Sequence, residues 1–195
     1  DPASRVACES LATTGLVIVA GEITTTAVVD FQKVVRETIR DIGYDSSDMG
    51  FDYKSCGVIV AIGKQSPDIS QGVTAGKGLH KEQGAGDQGM MFGYAIRETT
   101  ELMPLPIALA NQLVMRLAAL RKSGQMNFIR PDAKSQVTVE YANGKPKRIN
   151  NVVVSTQHSP DISYDKLRKE IISKVIEPII PGEWMDKGTI IHVNP

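Results

Sequence analysis

What this chain of 195 residues lacks narrows it first. It has no surplus of either charge, with Lys+Arg and Asp+Glu both at 22. The basic excess expected of a nucleic-acid binder or a membrane-surface protein is therefore missing. No uninterrupted apolar run approaches the ~18 to 20 residues that a membrane span requires, and no basic-then-apolar leader is read, so a cytoplasmic protein is expected. The cysteines, Cys8 and Cys56, lie in strand-like apolar runs and read as reduced core residues rather than a disulfide. His80, His158 and His192 are scattered without metal-ligand spacing. Gly72-x-x-x-Gly76-Lys77-Gly78 lacks the spacing and the hydroxyl residue of a P-loop, so phosphates would not be held that way.

What is present is concentrated in one stretch, Gly84-Ala85-Gly86-Asp87-Gln88-Gly89, followed by apolar Met90 to Tyr94. Glycines this close let the backbone turn sharply and let a ligand approach main-chain N–H groups. The spacing also matches the dinucleotide-binding fingerprint, which needs a strand just before it, a helix opening at the third glycine and an acid about 20 residues on. Here a glycine-rich loop precedes it, and the clear helix starts only near Pro104.

A content of 42% hydrophobic residues supports one good core or two small ones. Strands are expected at 5–12 and 16–25 around Thr13-Thr14-Gly15, and at 57–62. Between them a helix capped by Asp30 carries Phe31, Val34, Val35, Ile39 and Ile42 at helical spacing and stops at Gly43. This block reads ββαβ. The next reads βαββαβ, with a strand at 90–96, a helix at 104–122 and a hairpin, 135–142 and 148–156, around Asn143-Gly144. A helix from Tyr164 to Ile176 and a strand from Thr189 to Val193 follow. The fold class is therefore α+β, with repeated βαββαβ units and mixed or antiparallel sheets that carry helices on one face. Residues 1–83 form a first repeat lacking its opening strand and helix and ending in a flexible loop, 66–83; residues 84–195 form the second.

The glycine stretch resembles a signature of the S-adenosylmethionine synthetase (methionine adenosyltransferase) family. Arg5-Val6-Ala7-Cys8-Glu9, Gly21-Glu22-Ile23-Thr24, Asp48-Met49-Gly50-Phe51-Asp52, Ile62 to Ile69 and Arg130 to Gln136 agree with it in order. The resemblance implies a transferase of one-carbon metabolism in which the methionine sulfur attacks C5′ of ATP and expels triphosphate, which water then splits to phosphate and diphosphate. It implies that Glu22, Gln65 and Asp87 bind L-methionine. Asp132, Ala133 and Lys134 would bind ATP, with Lys134 catalytic at the polyphosphate, and Glu9 would bind potassium. Mg2+ and K+ are the implied cofactors. A homodimer or homotetramer with shared active sites is the implied assembly, with no nucleic-acid or membrane partner.

The glycine-bearing loop at 66–83 reads as a flexible linker or, from its length and its position at a strand's exit, as a lid that excludes water during transfer. Arg130 to Lys134 taken alone reads as a charged loop with an internal salt bridge. The family's opening His-Pro-Asp-Lys motif and its later lysine- and aspartate-rich segment do not occur here, so this portion alone is expected to be inactive. Two alternatives stand beside this reading: a non-catalytic regulatory or interaction subunit of the same fold, and a dinucleotide-binding oxidoreductase.

Overall fold

The computed structural model describes residues 1–85 and 89–195. It divides into two compact units, Asp1–Phe92 and Gly93–Pro195. In the first, β1 (Arg5–Thr13) and β2 (Leu16–Thr24) form an antiparallel hairpin. Helix α1 (Phe31–Ile42) then crosses over to β5 (Gly57–Gly63), which pairs parallel to β2, giving the order β1-β2-β5. A two-residue pair, β3 (Asp45–Ser46) and β4 (Phe51–Asp52), interrupts the return. A parallel neighbour needs such a crossover, and a helix that follows its strand packs back onto the sheet.

Helix α1 forms where the sequence marks it. The Asp30 carboxylate accepts from Lys33 N–H at 3.0 Å, and Gly43 ends the helix in a left-handed conformation. Phe31, Val35 and Ile39 pack on Val17, Val19 and Cys56, but Val34 and Ile42 remain exposed, so the apolar stripe is narrower than its spacing suggests. Arg36 ties the helix to the chain entering β5, its guanidinium donating to Tyr53 O at 2.7 Å.

In the second unit α3 (Leu105–Lys122) precedes a long antiparallel hairpin, β6 (Ile129–Ala142) and β7 (Lys145–His158). Helix α4 (Tyr164–Ile171), continued by a π turn over Ile172–Ile176, leads to β8 (Ile190–Val193), parallel to β7. The order β6-β7-β8 repeats that of the first sheet, with the same strand senses. Both helices lie on one face, where Leu113, Leu117, Leu167 and Ile171 meet Ile149, Val152 and Val154. Ser135 Oγ donates to Ala110 O at 2.7 Å and locks α3 to β6.

Several expectations are corrected. Residues 90–96 form no strand, and Met90, Met91, Phe92 and Tyr94 are exposed at 70% or more. An apolar run becomes a strand only where another strand can accept its hydrogen bonds, and among the described residues none pairs with it. No helix opens at Gly89, which removes the geometry that a dinucleotide fingerprint requires. Within the expected loop 66–83, Pro67–Val73 forms the short helix α2, begun by proline and anchored by buried Val73. Arg130 to Lys134 lies inside β6 rather than in a loop, because a register shift between Ile129 and Ala133 accommodates Pro131. Among the described residues no helix is long and apolar enough to cross a membrane.

Candidate functional site

The register of the first sheet decides which side chains share a face. Glu22 lies opposite Ala7 on β1 and opposite Gly63 on β5, and Arg5 lies opposite Thr24. Alternation then puts Arg5, Ala7, Glu9, Ala20, Glu22 and Thr24 on the face turned away from α1. At the carboxyl ends of β2 and β5 this face opens into a cleft of about 770 Å³, lined among others by Arg5, Glu22, Lys64, Gln65, Ile69 and Gly84. Ligands commonly sit outside the carboxyl ends of parallel strands, and β2 and β5 are the parallel pair here.

Two glycines shape the cleft by close approach. Gly21 holds φ 142°, and a Cβ there would meet Ala7 O at 2.0 Å. Only glycine lets β2 press against β1 immediately before Glu22. Gly84, first of the glycine-rich stretch, donates its N–H to Val73 O at 3.2 Å, and its Cβ would meet Gly72 O at 2.6 Å. The start of that stretch is thus pinned to the end of α2.

Glu22 and Gln65, two of the expected methionine-site residues, therefore line one cleft. Asp87, the third, lies outside the described residues. Arg5 and Lys64 also line the cleft; both fall in segments that match the family, yet nothing in their sequence surroundings marked either for a role. The Arg5 Nε and Gln65 Oε1 atoms are both buried with no hydrogen-bond partner among the described residues. Orphaned polar atoms of this kind call for an explanation such as a ligand or water. Glu9 lies two residues along β1 from Ala7, opposite Ala20, whose β5 partner is Ala61. It does not line the cleft.

In the second unit a smaller notch of about 300 Å³ holds Asp132, Ala133, Lys134, Ser155, Thr156 and Asn194. It also lies at the carboxyl ends of the parallel pair, here β7 and β8. Ala133 and Ser135 face the helices, so Asp132 and Lys134 project from the other face, both exposed. They form no salt bridge with each other, and Lys134 stands opposite Ser155. Asn194, at φ 46°, finishes β8 with its side chain: Oδ1 accepts from Thr156 N–H at 2.8 Å and Nδ2 donates to Thr156 O at 3.0 Å. The side-chain amide stands in for a further peptide of the ladder, and the strand stops beside Lys134. Nothing in the sequence pattern marked Asn194 or Thr156 for this.

Among the described residues no three of the His, Cys, Asp and Glu side chains group closely enough to hold a metal ion. With alanines flanking Glu9 in the sheet, the residues present do not make a potassium site by themselves.

Fold and clefts together define a class: an α+β protein of two topologically alike units, each with a polar cleft where its parallel strands end. Residues 1–67 match the N-terminal domain of S-adenosylmethionine synthetase and residues 82–195 its central domain. The chain belongs to the S-adenosylmethionine synthetase family. It is 59% identical over 195 residues to the S-adenosylmethionine synthase of Desulfosudis oleivorans, covering all of this chain and 50% of the relative. It is 58% identical over 195 residues to that of Sorangium cellulosum, covering all of this chain and 46% of the relative. It is 54% identical over 194 residues to that of Syntrophobacter fumaroxidans, again with full cover of this chain and 50% of the relative. The chain thus spans about half the length of these curated relatives.

Proposed function

We propose that the full-length protein forms S-adenosylmethionine from ATP, L-methionine and water. The observation that carries this reading is the meeting of Glu22 and Gln65 in one cleft, from motifs more than forty residues apart in the chain. A bond forms between the methionine sulfur and C5′ as the bond from C5′ to the triphosphate oxygen breaks, and water then splits the triphosphate to phosphate and diphosphate. The thioether is already a nucleophile, so the protein has no proton to remove from it. Its work is placement and charge.

Glu22 and Asp87 face the methionine ammonium, and Gln65 offers an amide beside it. Lys134 meets negative charge building on the departing triphosphate, and Asp132 with Ala133 positions the nucleotide at the strand end. Segment 66–83, with α2 inside it, covers the cleft during transfer. The family uses metal cofactors, and we assign magnesium and potassium here. Magnesium would come in with the nucleotide phosphates, whose oxygens are its usual partners. When bound, the ion would neutralise charge on the phosphate chain. Potassium at Glu9 requires oxygens from beyond the described residues. Assembly as a homodimer or homotetramer with shared sites, in the cytoplasm, completes the proposal, and residues 1–83 and 84–195 are its repeats, supported by their common strand order.

The test is methionine-dependent release of phosphate and diphosphate from ATP, with S-adenosylmethionine detected by mass. In the full-length protein Asp87→Asn should weaken methionine binding far more than it lowers stability, and Lys134→Ala should slow turnover with methionine binding retained. Unchanged methionine affinity in the first variant would remove Asp87 from the site.

A further inference from the structure

We infer that Arg5 grips the carboxylate of the amino-acid substrate, so that the cleft reads a whole zwitterion rather than an ammonium alone. The inference rests on the methionine reading above and adds a residue to it. Arg5 Nε is a charged donor whose atom is buried and makes no hydrogen bond among the described residues, and Gln65 Oε1 is an acceptor in the same state. Both residues line the same cleft. A single water could serve one of them, but the pair is complementary to a molecule that presents an acceptor at one point and a donor at the other.

The sheet register adds the charges. Arg5 stands opposite Thr24 and Glu22 opposite Ala7, which makes Arg5 and Glu22 diagonal neighbours on one face, with Cα atoms about 7–8 Å apart in an antiparallel pair. Side chains of this length could join directly, yet no salt bridge links them. The Glu22 carboxylate and the Arg5 guanidinium are therefore left to face a ligand with a cation and an anion on adjacent atoms. An α-amino acid is such a ligand: its ammonium goes to Glu22 and Gln65 Oε1, and its carboxylate to Arg5. A planar guanidinium suits a carboxylate better than an ammonium group does. Lys64 also lines the cleft but is exposed, so solvent already satisfies its charge. Ile69 and buried Val73 line the cleft too and offer a thioether chain an apolar surface.

The test uses the full-length protein with a non-hydrolysable ATP analogue and measures binding of L-methionine and of methioninol, which keeps the ammonium and thioether but lacks the carboxylate. Arg5→Gln should weaken L-methionine by roughly 10- to 100-fold, the range for losing a charge-assisted hydrogen bond, and leave methioninol within about twofold. Glu22→Gln should weaken both. Arg5→Lys, which keeps the charge and loses the Nε–H, should fall between wild type and Arg5→Gln for L-methionine only, and it gives the readout if Arg5→Gln does not fold. Equal losses for the two ligands would mean that Arg5 only supports the sheet, and undiminished L-methionine binding would mean that water satisfies it. Either result overturns the assignment. Wild-type protein that binds neither ligand would instead overturn the methionine reading itself.

Discussion

The two units share a strand order and a crossover, yet they do not share a core. In the first, one helix covers the sheet, and Val17, Val19, Ile39 and Cys56 are its buried residues. In the second, α3 and α4 cover the same kind of sheet, and residues such as Leu113, Ile149, Leu167 and Ile171 are wholly excluded from water. Among the described residues, α3 precedes the hairpin of the second unit, and α1, which follows the hairpin of the first, is the helix packed on that sheet. Apolar area removed from water is the main favourable term in folding, so among the described residues the second unit, with its larger buried core, is expected to be the harder of the two to unfold. The expected methionine cleft lies in the unit with the smaller buried core, in keeping with the tendency of ligand-binding elements to come from the less densely packed parts of a fold.

Nature has supplied separate reporters for the two. The single tryptophan, Trp184, packs against the second core, and both cysteines belong to the first unit. In rising denaturant, labelling of buried Cys56 should begin before Trp184 fluorescence changes; coincident transitions would break the comparison. The largest single effect should be Leu113→Ala, which leaves a hole in the fuller core and costs about 3–5 kcal/mol, read at Trp184. Val19→Ala in the first unit should cost about 2 kcal/mol and be read at Cys56, because a smaller side chain leaves a thinner core.

The strand ends sharpen the contrast, since each unit closes its cleft differently. Gly21→Ala combines a left-side φ with a clash into the Ala7 carbonyl, and strain plus overpacking should cost about 2–4 kcal/mol. Asn194→Ala leaves the Thr156 N–H without its acceptor in a buried setting and should cost about 1–3 kcal/mol. Thermal melts of the two variants decide the order. A Gly21→Ala protein as stable as wild type would show that β1 and β2 can part at that point, and Glu22 would lose its fixed position.

Much of this was legible in the residues, and the exceptions have a common cause. Asp30, Gly43 and the Asn143-Gly144 turn act through their own backbone neighbourhood, and each does what its chemistry predicts. Glu22 and Gln65 could be paired only through the resemblance, but once Glu22 is in register with Gly63 at the end of β5, the chain leaving that strand carries Gln65 into the same cleft. What could not be read depends on partners distant in sequence. Met90 to Ile96 has the composition of a strand and finds no neighbour among the described residues, and Pro131 looks like a strand breaker until the shift in β6 makes room for it. Arg5 is an ordinary basic residue until the cleft closes around its Nε. Local rules gave local structure, and the orphaned atoms needed the assembled sheet.

The smallest effect concerns the start of α3. Pro104 offers α3 no capping side chain, so Glu98 takes the role: Oε2 accepts from Leu105 N–H at 2.9 Å and from the Tyr141 hydroxyl at 2.7 Å. Burial, the hydrogen bond to Glu98 and the negative charge of Glu98 push the Tyr141 phenol up from 10.0 to about 12. A proton held more tightly in the folded state favours that state below the ordinary phenol value, and the benefit fades as pH climbs from about 10 to about 12. Tyr141→Phe should cost roughly 1 kcal/mol near neutral pH, toward the lower end for a hydrogen bond to a charged group because Tyr141 is 41% exposed. The gap between wild type and variant, measured by Trp184 in denaturant, should then close above pH 10. A gap that stays constant from pH 9 to pH 12 would show that the phenol contributes packing alone, and that α3 begins without help from β6.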